Sequence, residues 1–421
     1  MSWLYSAGLG AFLLGLAPSV LWQMLRRGKY RRGVRERFGG AAPWQGTAAP
    51  LWLHAVSVGE VMAAAPLARL LVARHPDVPL LASTTTETGR AVAEQRIPAG
   101  RFVFFPLDFD WCVRRALRAL RPRAVLLTET ELWPNFLAAC AAGGIPAVVI
   151  NGRISPRSFP RYRLIRPWFR RVLRDVRLFC MQSAADAERI LALGAPAERV
   201  VVTGNLKYDL PALEQAVDRD AIRAGLALPA ECRLVVAGSI HRGEDEPVLE
   251  AYKAAAATRP NLCLLLAPRH PERLDEVERA AARVGVACVR RSRLPGETPP
   301  PRGAIVLDTM GELARLYAVA SVVFIGGSLI PHGGQNILEP AAYGRPVLHG
   351  PHMGNFAEIR DLFQAARAAI EVADSRSLST ALQALLDDPA EADRMGQAGR
   401  AIVEAQRGAT GRTADLVGAL L

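Results

Sequence analysis

The sequence predicts an α/β protein made of two Rossmann-like halves, each a parallel, doubly wound sheet, behind an N-terminal apolar helix. Three observations carry this reading. Short apolar runs alternate with helix-length segments along most of the 421 residues, which is the pattern of successive βα units and a parallel sheet. The alternation pauses at a polar stretch, Asp209–Asp220, and then restarts, so a hinge near residue 210 divides the chain into two domains of ordinary size. The unusual polar residues stand where the apolar runs end, and open α/β sheets bind ligands at the carboxyl ends of their strands. With 50% hydrophobic and 22% charged residues, the chain is a packed globular protein and not a disordered one.

Residues 1–28 come first. Leu4–Leu25 is almost uncharged and close to the ~20 residues that cross a bilayer as a helix. Arg26, Arg27, Lys29, Arg31, Arg32, Arg35 and Arg37 follow at once. A positive flank places that side in the cytoplasm, and charge after the apolar run argues against a cleaved signal peptide. The segment reads as an N-terminal membrane anchor at the cytoplasmic side of a membrane. A helix lying in the interface, held by Trp3, Tyr5 and Trp22, is the competing form.

Residues 29–210 read as the first Rossmann-like domain. Strands are expected at Leu51–Val56, Pro79–Ser83, Phe102–Phe105, Ala124–Thr128, Ala147–Ile150, Leu178–Met181 and Val200–Thr203. Residues 211–421 read as the second, with strands at Leu234–Ala237, Leu262–Ala267, Ala304–Leu307 and Val322–Ile325, a return to a short strand at Gly344–Val347, and helices closing the chain. Arg291–Arg302 reads as a surface loop. The stretch Arg161–Arg177 carries seven arginines among aromatic and aliphatic residues, either a solvated basic face or a surface for anionic head groups.

The densest chemistry lies in 324–351, FIGGSLIPHGGQNILEPAAYGRPVLHGP. A buried strand ends in Gly326-Gly327-Ser328, a second glycine pair follows at Gly333-Gly334, and Gln335 to Pro340 reads as a helix start. Glycine turns let backbone approach a ligand closely, and a helix N-terminus favours negative charge. Asn336 and Glu339 then fall on one face, where Glu339 would accept the hydroxyls of a ribose. The stretch reads as a nucleotide-sugar site.

Other strand ends supply partners. Glu60, after Ser57-Val58-Gly59, is either a helix-capping carboxylate or a general base for an acceptor hydroxyl. Glu129 and Glu131 flank Thr130, and on extended chain they would point to opposite faces. Lys207 suits negative charge on a leaving phosphate or a sugar carboxylate, and Arg269 suits bidentate contact with phosphate. Met310, Gly311 and Glu312 offer backbone to a base ring. His54, inside LWLHAV, reads as a core histidine. Asp108-Phe109-Asp110 has the spacing of a metal-binding D-x-D, although Pro106 and Trp111 fit a loop with a helix cap better. No zinc-type spacing occurs. The net charge of +12, from 52 Lys+Arg against 40 Asp+Glu, suits nucleic acid, anionic lipid or an acidic substrate. With no nucleic-acid-binding motif, membrane surface and acidic substrate are the partners expected. The six cysteines are scattered without a C-x-x-C pair and read as buried thiols in a reducing compartment.

In order along the chain, HAVSVGE (His54–Glu60), TETELWPN (Thr128–Asn135), NGRIS (Asn151–Ser155), GNLKYD (Gly204–Asp209), AGSIHRGEDE (Ala237–Glu246), PRHPER (Pro268–Arg273), DTMGEL (Asp308–Leu313) and GGQNILEPAAYGRPVLHGP (Gly333–Pro351) make the chain resemble the 3-deoxy-D-manno-octulosonic acid (Kdo) transferases of lipopolysaccharide biosynthesis, nearly end to end. The resemblance implies a GT-B fold, with the two sheets facing a central cleft. It implies CMP-Kdo as donor, a lipid A precursor (lipid IVA) as acceptor, inversion at the anomeric carbon, no metal or cofactor, and an inner-membrane location. Carried over residue by residue, it makes Glu60 the proton acceptor and Glu129 and Lys207 transition-state stabilisers. Pro268, Arg269, Met310, Gly311, Glu312, Asn336, Ile337, Leu338 and Glu339 would hold CMP. Ile240, where a hydroxylated residue is more usual, and Asn151-Gly152 depart from the pattern. Three other functions compete: a GT-B enzyme using a UDP-sugar, a nucleotide-dependent dehydrogenase, and a non-catalytic membrane adaptor. The missing G-x-G-x-x-G after the first strand weighs against the dehydrogenase.

Overall fold

The computed structural model describes residues 2–27, 32–210 and 217–421. Lys29 and Arg31 of the basic flank, and 211–216 of the hinge candidate, lie outside the described residues. The chain forms two compact units.

The first unit carries a seven-stranded sheet in the order β3-β2-β1-β4-β5-β6-β7. Its strands are β1 Leu51–His54, β2 Leu80–Thr84, β3 Arg101–Phe104, β4 Ala124–Thr128, β5 Ala147–Gly152, β6 Leu178–Met181 and β7 Val200–Val202. Every pairing is parallel. Successive residues serve opposite faces. Trp52, Leu81, Val125 and Val149 enter one core with Phe136 and Phe179, whereas Leu51, Leu53, Leu80, Leu126 and Val148 enter the other. Helices cover both faces, which is why these strands read as unbroken apolar runs and not as alternating ones.

The second unit repeats the plan in the order β10-β11-β9-β8-β12-β13-β14. Its strands are β8 Arg233–Ile240, β9 Leu262–Pro268, β10 Cys288–Arg290, β11 Ala304–Val306, β12 Val322–Ile325, β13 Val347–His349 and β14 Ala369–Glu371. All are parallel. The sequence reading lacked β10 and β14. Both are three-residue edge strands carrying a charge (Arg290, Glu371), so neither has a hydrophobic run to betray it.

The division along the chain differs from the linear one. Residues 406–421 return to the first unit, which comprises Met1–Asp209 and Gln406–Leu421. Ala409, Ala414 and Val417 join the core beside Leu206. The Asp209 carboxylate accepts from the Gly408 and Thr410 amides at 2.7 and 2.6 Å, and Arg412 Nε donates to the Thr203 carbonyl at 2.8 Å.

At the N-terminus a helix runs from Ser2 to Arg27. Its start rests on the first unit: the Tyr5 ring lies 6.1 Å from Trp168, and Asn135 Nδ2 donates to Ser6 Oγ at 3.0 Å. Further along, Phe12, Leu14, Leu16 and Trp22 are exposed. Among the described residues no helix is long and apolar enough to cross a membrane. The arginine-rich stretch is two helices, Phe159–Leu164 and Arg166–Arg174. Pro167, in the first turn of the second, has no N–H to continue the first. All six cysteines are free thiols, and five are buried.

Candidate active site

In the first sheet the chain turns from β1 to β2 on one side, while β4 lies on the other, so the switch point falls between β1 and β4. Glu60 sits above it. Ser57 caps the helix Val58–Arg74, its hydroxyl accepting from the Glu60 amide at 3.4 Å. Glu60, three residues past the cap, reaches back as in a capping box. Its Oε1 accepts from Ser57 Oγ at 2.9 Å, and its Oε2 accepts from the Val56 amide at 2.9 Å and from Thr128 Oγ1, at the end of β4, at 2.6 Å. Capping and proton acceptance are therefore compatible roles, since the same donors fix the direction in which the carboxylate points. Thr128 gave no sequence signal, because a threonine ending a strand is ordinary until its neighbour across the sheet is known.

Glu129 follows Thr128 with φ +52°, a left-handed turn that a bulky residue rarely takes. It corrects the expectation that Glu129 and Glu131 point apart. The chain is not extended here, and both carboxylates feel the charge of Glu60. Glu129 Oε1 lies 3.7 Å from Lys207 Nζ. Burial pushes the Glu129 carboxyl up, the Lys207 ammonium pulls it down, Glu60 raises it and Arg153 lowers it. Glu131 accepts from Trp133 Nε1 at 2.8 Å, and burial together with Glu60 pushes it up to about 7. Lys207 is held from β5 and from its own loop after β7: Asn151, itself at φ +52°, accepts from the Leu206 amide at 2.9 Å, and Asn205 accepts from the Lys207 amide at 3.0 Å. The structure thus brings Glu60, Glu129 and Lys207 together.

The second sheet has its switch point between β8 and β12. Here the expected anion site is already filled. The amides of Gly327, Ser328 and Leu329 donate to the Glu244 carboxylate at 2.6, 2.9 and 2.9 Å, as does the His241 amide at 2.9 Å. The first glycine pair therefore holds an internal carboxylate and is not open to a phosphate. Nothing in HRGEDE distinguishes Glu244 from its acidic neighbours. At the second pair, Gly333 and Gly334 have φ +97° and +74°, and a Cβ on Gly334 would meet Met353 Sδ at 2.3 Å, so only glycine fits there.

The helix after this loop is Leu338–Ala342, shorter than expected, with Asn336 ahead of it. Even so, Asn336 Nδ2 donates to Glu339 Oε1 at 3.2 Å, and Asn336 Oδ1 accepts from the Leu338 amide at 3.0 Å. Burial pushes Glu339 up, against the Asn336 hydrogen bond and the Arg269 charge, which lower it. Ile337 and Leu338 are buried and bring backbone, not side chains, to this end. Pro268 closes β9 opposite Ile240, leaving Arg269 exposed at the strand end. Met310 is 77% exposed. Gly311 has φ +82° with open space at its Cβ, and Glu312 pairs with Arg291 at 3.1 Å. The backbone of 310–312 is thus presented outward.

Two candidates resolve as structural. His54 is buried, 3.0 Å from Ser83 Oγ and stacked on Phe105 at 3.8 Å, and burial pushes it down to about 3. Asp108 and Asp110 serve different partners. Asp108 accepts from the Asn135 and Phe136 amides at 3.1 and 2.8 Å, capping the next helix, and Asp110 pairs with Arg114 at 2.8 Å.

A family model described as 3-Deoxy-D-manno-octulosonic-acid transferase (kdotransferase) matches residues 32–210, and one described as Glycosyl transferase-like matches 311–418. The chain is 39% identical over 422 residues to the 3-deoxy-D-manno-octulosonic acid transferase of Bordetella pertussis, covering 96% of each. It is 35% identical over 398 residues to that of Haemophilus influenzae, covering 92% of this chain and 91% of the relative. Among solved structures, the UDP-GlcNAc 2-epimerase from Neisseria meningitidis bound to UDP-GlcNAc superposes with a TM-score of 0.56 at 15% identity, covering 84% of this chain and 98% of that one. That likeness shows a GT-B-like fold.

Proposed function

We propose a specific reaction from one premise: the chain belongs to the 3-deoxy-D-manno-octulosonic acid transferase family and is a glycosyltransferase. The reaction moves Kdo from CMP-Kdo to a hydroxyl of a lipid A precursor with inversion. The acceptor oxygen attacks the anomeric carbon, the bond from that carbon to the phosphate oxygen breaks with its electron pair, CMP departs, and the acceptor proton passes to Glu60.

The observation that carries this reading is the Glu60 carboxylate, held by Ser57, Val56 and Thr128 beside the Glu129–Lys207 pair. A base must be aimed before the hydroxyl arrives, and the three donors aim it. Lys207 offsets negative charge as the phosphate leaves. Glu129 keeps that ammonium in place and tolerates the positive character of the anomeric carbon. The second unit holds the nucleotide. Arg269 suits phosphate, Asn336 and Glu339 suit the ribose hydroxyls, and the open backbone of 310–312 suits the base.

The acceptor lives in a membrane, and the surface of the first unit suits one. Phe12, Leu14, Leu16 and Trp22 on the N-terminal helix, and Leu164 and Ile165 between the arginine-rich helices, are exposed. We place the N-terminal anchor in the cytoplasmic face of the inner membrane, apolar residues in the acyl boundary and arginines at the anionic head groups.

Transfer from CMP-Kdo to a tetraacylated lipid A precursor, read by mass spectrometry with EDTA present, tests donor, acceptor and metal independence together. A gain of one or more Kdo masses is expected. No gain, with CMP still bound, would move the acceptor elsewhere; protection by UDP in place of CMP would point to a UDP-sugar enzyme.

A further inference from the structure

Beyond the residues assigned above, the second sheet carries a cluster that none of those roles uses. His241 leaves β8 at the switch point. β8 ends in a register shift against β9 with Ser239 at φ +57°, a bulge that re-aims the strand end. The His241 ring lies 3.9 Å from His332, on the loop after β12, and 5.5 Å from His270, just past β9. Its Nε2 lies 3.1 Å from Gln335 Nε2. Gly327 lies beneath it at φ +67°, and a Cβ there would come within 3.1 Å of the ring. His241 is 5% exposed, whereas His270 and His332 are open to solvent.

We propose that His241, His270 and His332 form a subsite that receives an anionic group of the donor and takes up a proton as it binds, an assignment that rests on the donor reading above. Imidazoles this close, with Arg269 and Arg273 also facing them, repel one another's charge. Burial first, and then His332, His270, Arg269 and Arg273, push His241 down to about 4. The acids around the cluster do not relieve this. Glu244 spends its carboxylate on four amides, Asp245 and Glu276 pair with Arg273, and Glu272 stands 3.7 Å from His270 on the exposed side.

Without ligand, then, His241 sheds its proton, and Glu244, Asp245 and Glu276 are committed to other partners. An anion entering among the rings reverses the balance, since opposite charge within about 4–6 Å favours the protonated imidazole. Affinity falls as pH rises across the range in which the bound form is protonated and the free form is not. The donor carries two anions, its phosphate and its sugar carboxylate, and the chemistry of the subsite accepts either.

The test uses the full chain in detergent, as wild type, His332→Asn and His241→Asn. The exposed His332 keeps the experiment readable should His241→Asn fail to fold. KM for CMP-Kdo is measured between pH 6 and 8, and Kd for CMP and for cytidine at pH 6.5. Wild-type KM is expected to rise about tenfold over that range, and the variants to show a higher, flatter KM. Weaker binding of CMP with cytidine unchanged assigns the phosphate. Unchanged CMP with a raised KM for CMP-Kdo assigns the carboxylate. Variants that match wild type in all three overturn the subsite. Wild type that binds neither CMP nor CMP-Kdo defeats the donor reading instead; the subsite is then judged by NMR titration of His241 with inorganic phosphate. An upward shift of its pKa sustains the subsite, and no shift overturns it.

Discussion

Replacing Glu60 by Gln isolates its charge from its scaffold. The amide oxygen can still accept from the Val56 amide and from Thr128 Oγ1, and the amide nitrogen can donate to Ser57 Oγ, so the contacts at 2.9, 2.6 and 2.9 Å persist in neutral form. A hydrogen bond to a charged group contributes about 1.5–3 kcal/mol, against about 1 for a neutral one. The loss is about 0.5–2 kcal/mol per bond, so three such bonds cost about 1.5–6 kcal/mol, toward the low end here because Glu60 is partly exposed. Turnover should suffer far more, since a positioned base contributes about 10²–10⁴-fold. The assay is Kdo transfer under saturating donor, with thermal unfolding and CMP binding on the same samples. The expected result is a fall of at least a hundredfold in kcat, unchanged CMP affinity and a small loss in Tm. Turnover within tenfold of wild type would sink the assignment of Glu60 as base. A large loss in Tm accompanying the loss of turnover would show that capping, not proton transfer, is its main work.

Two further predictions concern charge buried in the fold. Each Glu244 oxygen accepts from two amides, so Glu244→Gln leaves two buried N–H groups without an acceptor, at about 1–3 kcal/mol each; a drop of about 2–6 kcal/mol in urea unfolding is expected, and a change under about 1 would refute the nest. Asp108 is buried and pushed up from 3.8 to about 7, burial being the first cause. Its native pKa exceeds its unfolded one, so the native state holds a proton that the unfolded chain releases, and this contribution to stability is full at low pH and lost as pH rises from about 4 to 7. Asp108→Asn should therefore gain on wild type across that window, by up to about 4 kcal/mol for a shift of this size. A difference between the two that stays flat from pH 4.5 to 7.5 would contradict it. His54, pushed down to about 3, has the opposite dependence but is common to both proteins and cancels.

Much of this protein was legible in one dimension. Parallel strands covered on both faces must be apolar throughout, so Ala124–Thr128, Leu178–Met181 and Val322–Ile325 announced themselves to the residue. Edge strands such as Cys288–Arg290 did not, because a half-covered strand can carry charge. The motifs at the strand ends marked Glu60, Glu129, Lys207, Arg269, Asn336 and Glu339, since a strand end that carries a carboxylate or a cation has no packing reason to do so. Partners across the sheet stayed hidden. Thr128 reaches Glu60 only because β1 and β4 are neighbours, and Glu129 and Glu131 share surroundings only because the chain turns at φ +52°. Gly326-Gly327-Ser328 looked like a site for a ligand anion, and Glu244, eighty-odd residues earlier, fills it. Periodicity and strand-end chemistry are local, so they are enough to establish the fold class, the family and the residues that bear charge. Which of those charges are spent inside the protein and which stay available to a substrate depends on contacts between distant segments, and those contacts exist only in the folded chain.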